Sequence, residues 1–107
     1  MYYYCKLIYS DKPSETSLAS DLDNAGYVVR HFFDDDVLAI VVTPDDFEGH
    51  AVGPMMDALI GAHDPHFVVV VHYGSSEETV LCDDITQASY ELVRRFDSQV
   101  QGITVRR

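Results

Sequence analysis

Three adjacent carboxylates, Asp34-Asp35-Asp36, stand between the apolar runs His31-Phe32-Phe33 and Val37 to Val42. Carboxylates at that spacing can hold a cation or present fixed negative charge to a basic partner. A calcium loop of the EF-hand type alternates its ligands and needs a central glycine; the triplet has neither. Asp also favours turns, because its side chain hydrogen-bonds the neighbouring backbone. The plain reading is therefore a solvated turn. The functional reading makes the triplet one patch of a wider anionic surface to which Asp45, Asp46, Glu48, Glu77, Glu78, Asp83 and Asp84 contribute. B-form DNA carries one negative charge per ~1.7 Å of its axis, and carboxylates in rows can compete for the lysines and arginines that otherwise hold phosphates.

Five histidines invite a metal reading. His63-Asp64-Pro65-His66 offers two imidazoles and a carboxylate as a half-site, while Asp46 and His50 read as a pair on one helix face. His66 and His72 fall on one strand roughly 20 Å apart at ~3.3 Å per residue, too far to share one zinc. The two cysteines have no metal-motif spacing. Cys82 precedes Asp83 and Asp84, which disfavour a thiolate, and Cys5 sits in an apolar strand as a core residue. No glycine-rich phosphate loop, nucleophile elbow or H-E-x-x-H occurs, and Gly74-Ser75-Ser76 reads as a turn. The expectation is no catalytic residue, no metal and no cofactor. Of the apolar residues, Tyr4 and Met56 are the candidate interface anchors.

These residues must be carried by regular elements, and the apolar pattern predicts them in order. Tyr2 to Tyr9 reads as a strand covered on both faces. Ser14 or Ser17 caps a helix with Leu18 and Leu22 one turn apart, stopped by Gly26. Tyr27 to Phe33 alternates as a second strand, and Val37 to Val42 is a third, buried on both faces. Thr43-Pro44 starts a helix over 45–62, interrupted at Gly53-Pro54. His66 to Tyr73 is a fourth strand and Thr79 to Cys82 a fifth that hairpins onto it. Asp84-Ile85-Thr86-Gln87 matches a capping box for a helix reaching about Val100, ended by Gly102. Ile103 to Val105 is a weak final strand.

This order resembles the split β-α-β plan of ferredoxin-like domains. The expected fold is an α+β single domain over 1–107: a β-α-β-β-α-β core with an appended β-α(-β), its antiparallel sheet carrying helices on one face. Successive β-α-β units give a loose threefold rhythm without a residue-level repeat.

Charge narrows the function. Eighteen acids against seven bases leave −11 over 107 residues, and no Lys or Arg occurs between His31 and Val93, where thirteen of the acids lie. Such a chain repels nucleic acid and anionic membranes and attracts basic proteins. Neither a secretory leader nor an apolar run of ~20 residues is evident, so a cytoplasmic location is expected. Halophilic adaptation also enriches Asp over Lys, but it does not confine the bases to the chain ends. The expected function is a small non-enzymatic acidic protein that occludes a basic, nucleic-acid-binding surface of another protein. Phage-encoded inhibitors of bacterial defence systems, anti-CRISPR proteins among them, illustrate the class. The alternative is a homodimeric small-molecule-binding or catalytic domain, an inference from fold analogy.

Overall fold

A computed structural model describes residues 2–44 and 67–107. Their elements are β1 (Tyr3–Tyr9), β2 (Glu15–Ala19), α1 (Leu22–Phe32), β3 (Val37–Pro44), β4 (Phe67–His72), β5 (Glu77–Cys82), α2 (Ile85–Arg95) and β6 (Gly102–Arg106). The strands form one sheet in the order β2-β1-β3-β6-β4-β5, with every neighbouring pair antiparallel. The fold is α+β, as expected. The helix expected over 45–62, with Asp45, Asp46, Glu48, His50, Met56, His63 and His66, lies outside the described residues.

Several elements differ from the sequence reading. Residues 15–19 form an edge strand, not the first turns of a helix, and Tyr27 to Phe33 lies mostly within α1 instead of a strand. An edge strand with little to bury shows no clear alternation, and a helix packed on a sheet can use β-branched residues on its buried face. The cap is Asp21, whose side chain accepts from the Asn24 amide at 2.8 Å. Gly26 sits inside α1, where it is buried. Thr43 and Pro44 are the last residues of β3. The second helix stops at Arg95, and Gly102 opens β6, which occupies the centre of the sheet.

The descriptions of the two halves coincide: strand, strand, helix, strand, each with its third strand at the middle of the sheet. The residues coincide too, contrary to the expectation of no residue-level repeat. Aligned so that Asp21 meets Asp84, residues 15–42 and 78–105 are identical at 11 of 28 positions, among them Glu15/Glu78, Leu18/Leu81, Tyr27/Tyr90, Phe33/Phe96 and Asp34/Asp97. The β1–β2 hairpin is one residue longer than β4–β5, so its first strand aligns one position further along, Tyr3 with Phe67 and Tyr9 with Tyr73.

A chain duplicated in this way can pack its halves as an isologous pair, in which residue i meets j and j meets i. Ile40 pairs with Val105 while Val42 pairs with Ile103 across the β3–β6 seam. The Tyr3 ring meets Phe96 edge-on at 5.3 Å, and its counterpart Phe67 meets Phe33 edge-on at 5.2 Å. Such ring pairs contribute about 0.5–1.5 kcal/mol each beyond the area they bury. Gly26 lies against Val93, and Arg30 donates to the Ser89 hydroxyl at 3.5 Å, so the helices meet through equivalent positions.

Both helices pack on the sheet face formed by Cys5, Leu7, Ile40, Val42, Val69, Val71, Ile103 and Val105, closing the core with Ala25, Val29, Ala88 and Leu92. Burying each large aliphatic side chain there contributes roughly 1.5–3 kcal/mol. The alternate residues Ile8, Ala39, Val41, Val68 and Val70 are buried as well, matching the expectation of strands apolar on both faces.

Candidate functional site

The antiparallel order decides which acids share a surface. The β1–β2 hairpin, the start of β3 and the end of β5 fall at one end of the sheet, because Tyr9 pairs with Val37, Ala39 with Arg106, Val68 with Arg106 and Phe67 with Cys82. Asp11, Glu15, Asp34, Asp35, Asp36, Asp83 and Asp84 therefore lie at that end with Lys12, Arg106 and Arg107. The first residues of β3 and the last of β5 are three strand spacings apart, about 14 Å. Glu77 and Glu78 begin β5 and lie at the opposite end. The structure thus joins Asp34–Asp36 with Asp83 and Asp84, and separates both from Glu77 and Glu78.

The triplet is not without cations. Lys12 Nζ approaches the Asp36 carboxylate at 3.5 Å and stands over the Tyr9 ring at 4.1 Å. Arg107 serves the backbone of the turn: its guanidinium donates to the carbonyls of Val37 at 3.0 Å and Asp34 at 3.1 Å. The same guanidinium stacks over Phe33, 5.0 Å from the ring centre. The turn closes by the Val37 amide donating to the Asp34 carbonyl at 3.0 Å. Among the described residues no cation lies within ion-pair distance of the Asp34 or Asp35 carboxylate, and both residues are exposed. Arg107 fixes the turn while leaving those charges uncompensated at contact distance.

The duplication separates acids that the fold uses from acids it does not. Asp21 and Asp84 are the helix caps, each accepting the third amide of its helix at 2.8 Å. Gln87 Oε1 adds a bond from the Asp83 amide at 2.9 Å, one residue ahead of the capping-box geometry. Glu15 accepts from the Tyr9 hydroxyl at 3.2 Å, and Glu78 from the Tyr73 hydroxyl at 3.4 Å, closing the two hairpins alike. Asp34 and Asp97 head the same turn, the Val100 amide donating to the Asp97 carbonyl at 3.2 Å. These six acids recur in both halves and have structural tasks. Asp35, Asp36 and Asp83 do not recur: Ser98, Gln99 and Ser20 stand in their places, as Thr86 and Ser14 do for Asp23 and Glu77 at the other end.

Glu91, buried in α2, accepts from Arg94 at 3.1 Å and from Arg95 at 3.4 Å, while Arg95 also binds Glu78 at 2.6 Å. This cluster anchors α2 to β5. Tyr4 lies half-buried in β1, its side chain on the sheet face away from the helices by strand alternation, and is remote from the acidic end.

A second arrangement escaped the sequence reading. His72 Nε2 is 3.1 Å from the Thr104 hydroxyl and His72 Nδ1 is 3.3 Å from Glu77 Oε2. A carboxylate fixes the Nδ1–H tautomer and leaves Nε2 to accept from the threonine. Burial pushes the imidazole below its ordinary range, against the upward pull of Glu77. Hydroxyl, imidazole and carboxylate in series are the parts of an activated nucleophile. Thr104, however, is 0% exposed, so here the chain satisfies polar groups inside the sheet. Cross-strand pairing of His72 with Glu77 was the available signal, visible once β4 and β5 are set as a hairpin.

Both thiols are buried and unpaired with each other. Burial pushes Cys5 up to about 12, and burial followed by Glu91 raises Cys82. Neither suits a thiolate nucleophile. Among the described residues no group of three or more His, Cys, Asp and Glu side chains is arranged to hold a metal ion, and no helix is long and apolar enough to cross a membrane.

The fold and site therefore define the chain as an α+β protein built from two β-β-α-β halves with an acidic end. No family model, curated protein or solved structure matches it.

Proposed function

We propose that this protein is a non-enzymatic binding protein whose acidic end engages the lysines and arginines of a basic partner, of the kind that otherwise hold nucleic-acid phosphates. One observation carries the reading. Asp35, Asp36 and Asp83 stand where the other half of the same fold has Ser98, Gln99 and Ser20, so the turn and the helix entry do not require acids there. Charge that the turn and the helix entry do not need, of which only Asp36 meets a cation of the chain, Lys12, acts through steering and pairing across an interface. Asp34 and Asp84 add to the same field while serving the turn and the cap.

The test begins with tagged protein in nuclease-treated lysate, washed at low and at high salt. A basic nucleic-acid-binding protein should be retained stoichiometrically at low salt, lost at high salt and displaced by duplex DNA. Purified, that partner should associate about tenfold more slowly with the Asp35→Asn, Asp36→Asn, Asp83→Asn variant, whose folding should be intact. An unchanged association rate removes these residues from the site. Retention of nothing at either salt overturns the reading.

A further inference from the structure

The two edge strands of the sheet are equivalent in the duplication, but β2 has five residues and β5 six. Edges are commonly blunted by proline, lysine or a bulge, because a row of unpaired amides and carbonyls recruits other strands. Lys12-Pro13 stands in the hairpin just ahead of β2, outside the strand itself. No such residue guards β5, Glu77-Glu78-Thr79-Val80-Leu81-Cys82, which pairs with β4 in continuous register and has no partner on its outer side among the described residues. Leu81 is 61% exposed on the sheet face away from the helices, beside Thr79.

Charge chooses the occupant. Carboxylates stand at both ends of β5: Glu77 at the start, paired among the described residues with a histidine whose charge is disfavoured, and Asp83 beyond the finish. A second copy paired antiparallel about a twofold axis would set the start of one β5 beside the end of the other. Glu77 would then face Asp83 at both ends of the seam, a like-charge contact that destabilises pairing. An extended segment with an uncharged β-branched centre and a basic residue at each end meets the opposite sign at both ends.

We infer that β5 accepts such a basic-ended segment of the partner as a seventh strand, by backbone pairing with a side-chain contact on Leu81. The inference rests on the basic-partner reading and adds how that partner is held.

The probe is a synthetic peptide with alternating valine and threonine between terminal lysines, titrated into the full chain. Amide exchange should slow along β5 and not along β2. The same peptide N-methylated at alternate residues keeps its charge but cannot pair, and should bind at least about tenfold more weakly, a difference of 1.4 kcal/mol. Leu81→Thr, at an exposed site, should weaken the unmethylated peptide without loss of fold. Equal binding of the two peptides, or slowed exchange elsewhere but not in β5, overturns strand addition. Neither result bears on the rate effect of Asp35, Asp36 and Asp83, which tests the basic-partner reading separately.

Discussion

Replacement of Gly26 by alanine tests whether the two halves meet as an isologous pair. A Cβ at Gly26 would lie 2.9 Å from Val93 Cγ2, closer than carbon atoms tolerate, with Arg30 Nη1 and the Ser89 carbonyl oxygen both at 3.8 Å. Valine is stiff at χ1 and cannot swing that methyl aside cheaply. Overpacking of this kind costs about 1–3 kcal/mol. Against it, alanine is favoured over glycine inside a helix by about 1 kcal/mol. Gly26→Ala should therefore lower stability by about 1 kcal/mol, with a range of about 0–2. In a Val93→Ala background the obstructing methyl is gone, and the same change should raise stability by about 1 kcal/mol. The sign reversal is the informative result, a coupling of about 1–3 kcal/mol. Urea unfolding of the four proteins followed by circular dichroism, with m-values compared to check that the unfolded states match, measures it. Additivity within about 0.5 kcal/mol would refute the helix contact as described.

Three further outcomes are expected. His72 is held below its ordinary value of 6.5 by burial, so the unfolded chain takes up that proton first as pH falls. Its contribution is complete above about pH 6.5 and declines towards the lower folded value. Changing His72→Ile with Thr104→Val, the residues found at the equivalent Ile8 and Val41, should flatten the stability difference between about pH 7.5 and pH 5.5 in urea melts. Arg107→Ala removes two short charged hydrogen bonds and a stacked guanidinium, and should cost about 1–3 kcal/mol and slow association with a basic partner. Arg107→Lys should not restore either property, since an ammonium cannot span both carbonyls as the planar fork does. Cys5 and Cys82 should react with a thiol reagent only as the chain unfolds, at rates that track denaturant, and rapid labelling of the native protein would contradict their burial.

The elements legible in the sequence were those with strong one-dimensional signals. Val37 to Val42 and the valine run before His72 are apolar on both faces, and Asp84 with Gln87 announces a helix start. Residues 15–33 were not legible, for a reason specific to them. Leu18 and Leu22 are one helical turn apart by accident of a strand ending and a helix beginning, while Tyr27, Val28 and Val29 carry strand-favouring side chains on a helix that packs against a sheet. Local propensity lost to tertiary packing in both places. The remedy was present in the chain: laid over Asp84 to Asp97, Asp21 to Asp34 shares its cap, alanine, tyrosine, phenylalanine and closing aspartate. That overlay assigns the first helix from the second. A one-residue difference between the hairpins hides it in the flanking strands.

The same overlay changes how the acidity is interpreted. As a string of carboxylates, Asp34 to Asp36, Glu77, Glu78, Asp83 and Asp84 are equivalent claimants to a binding surface. Set against their counterparts, Asp34, Glu78 and Asp84 become parts of a turn, a hairpin closure and a helix cap that the chain builds twice. Each would exist in a protein with no partner. Asp35 and Asp83 have no such explanation and Asp36 has only its ion pair with Lys12, and Asp83 falls at the same end of the sheet as the adjacent Asp35 and Asp36 although it is far from them in sequence. Generalised solubility requires net charge but no particular placement. Three such carboxylates at one end, beside a turn whose backbone is clamped by Arg107, support the proposed recognition of a basic partner.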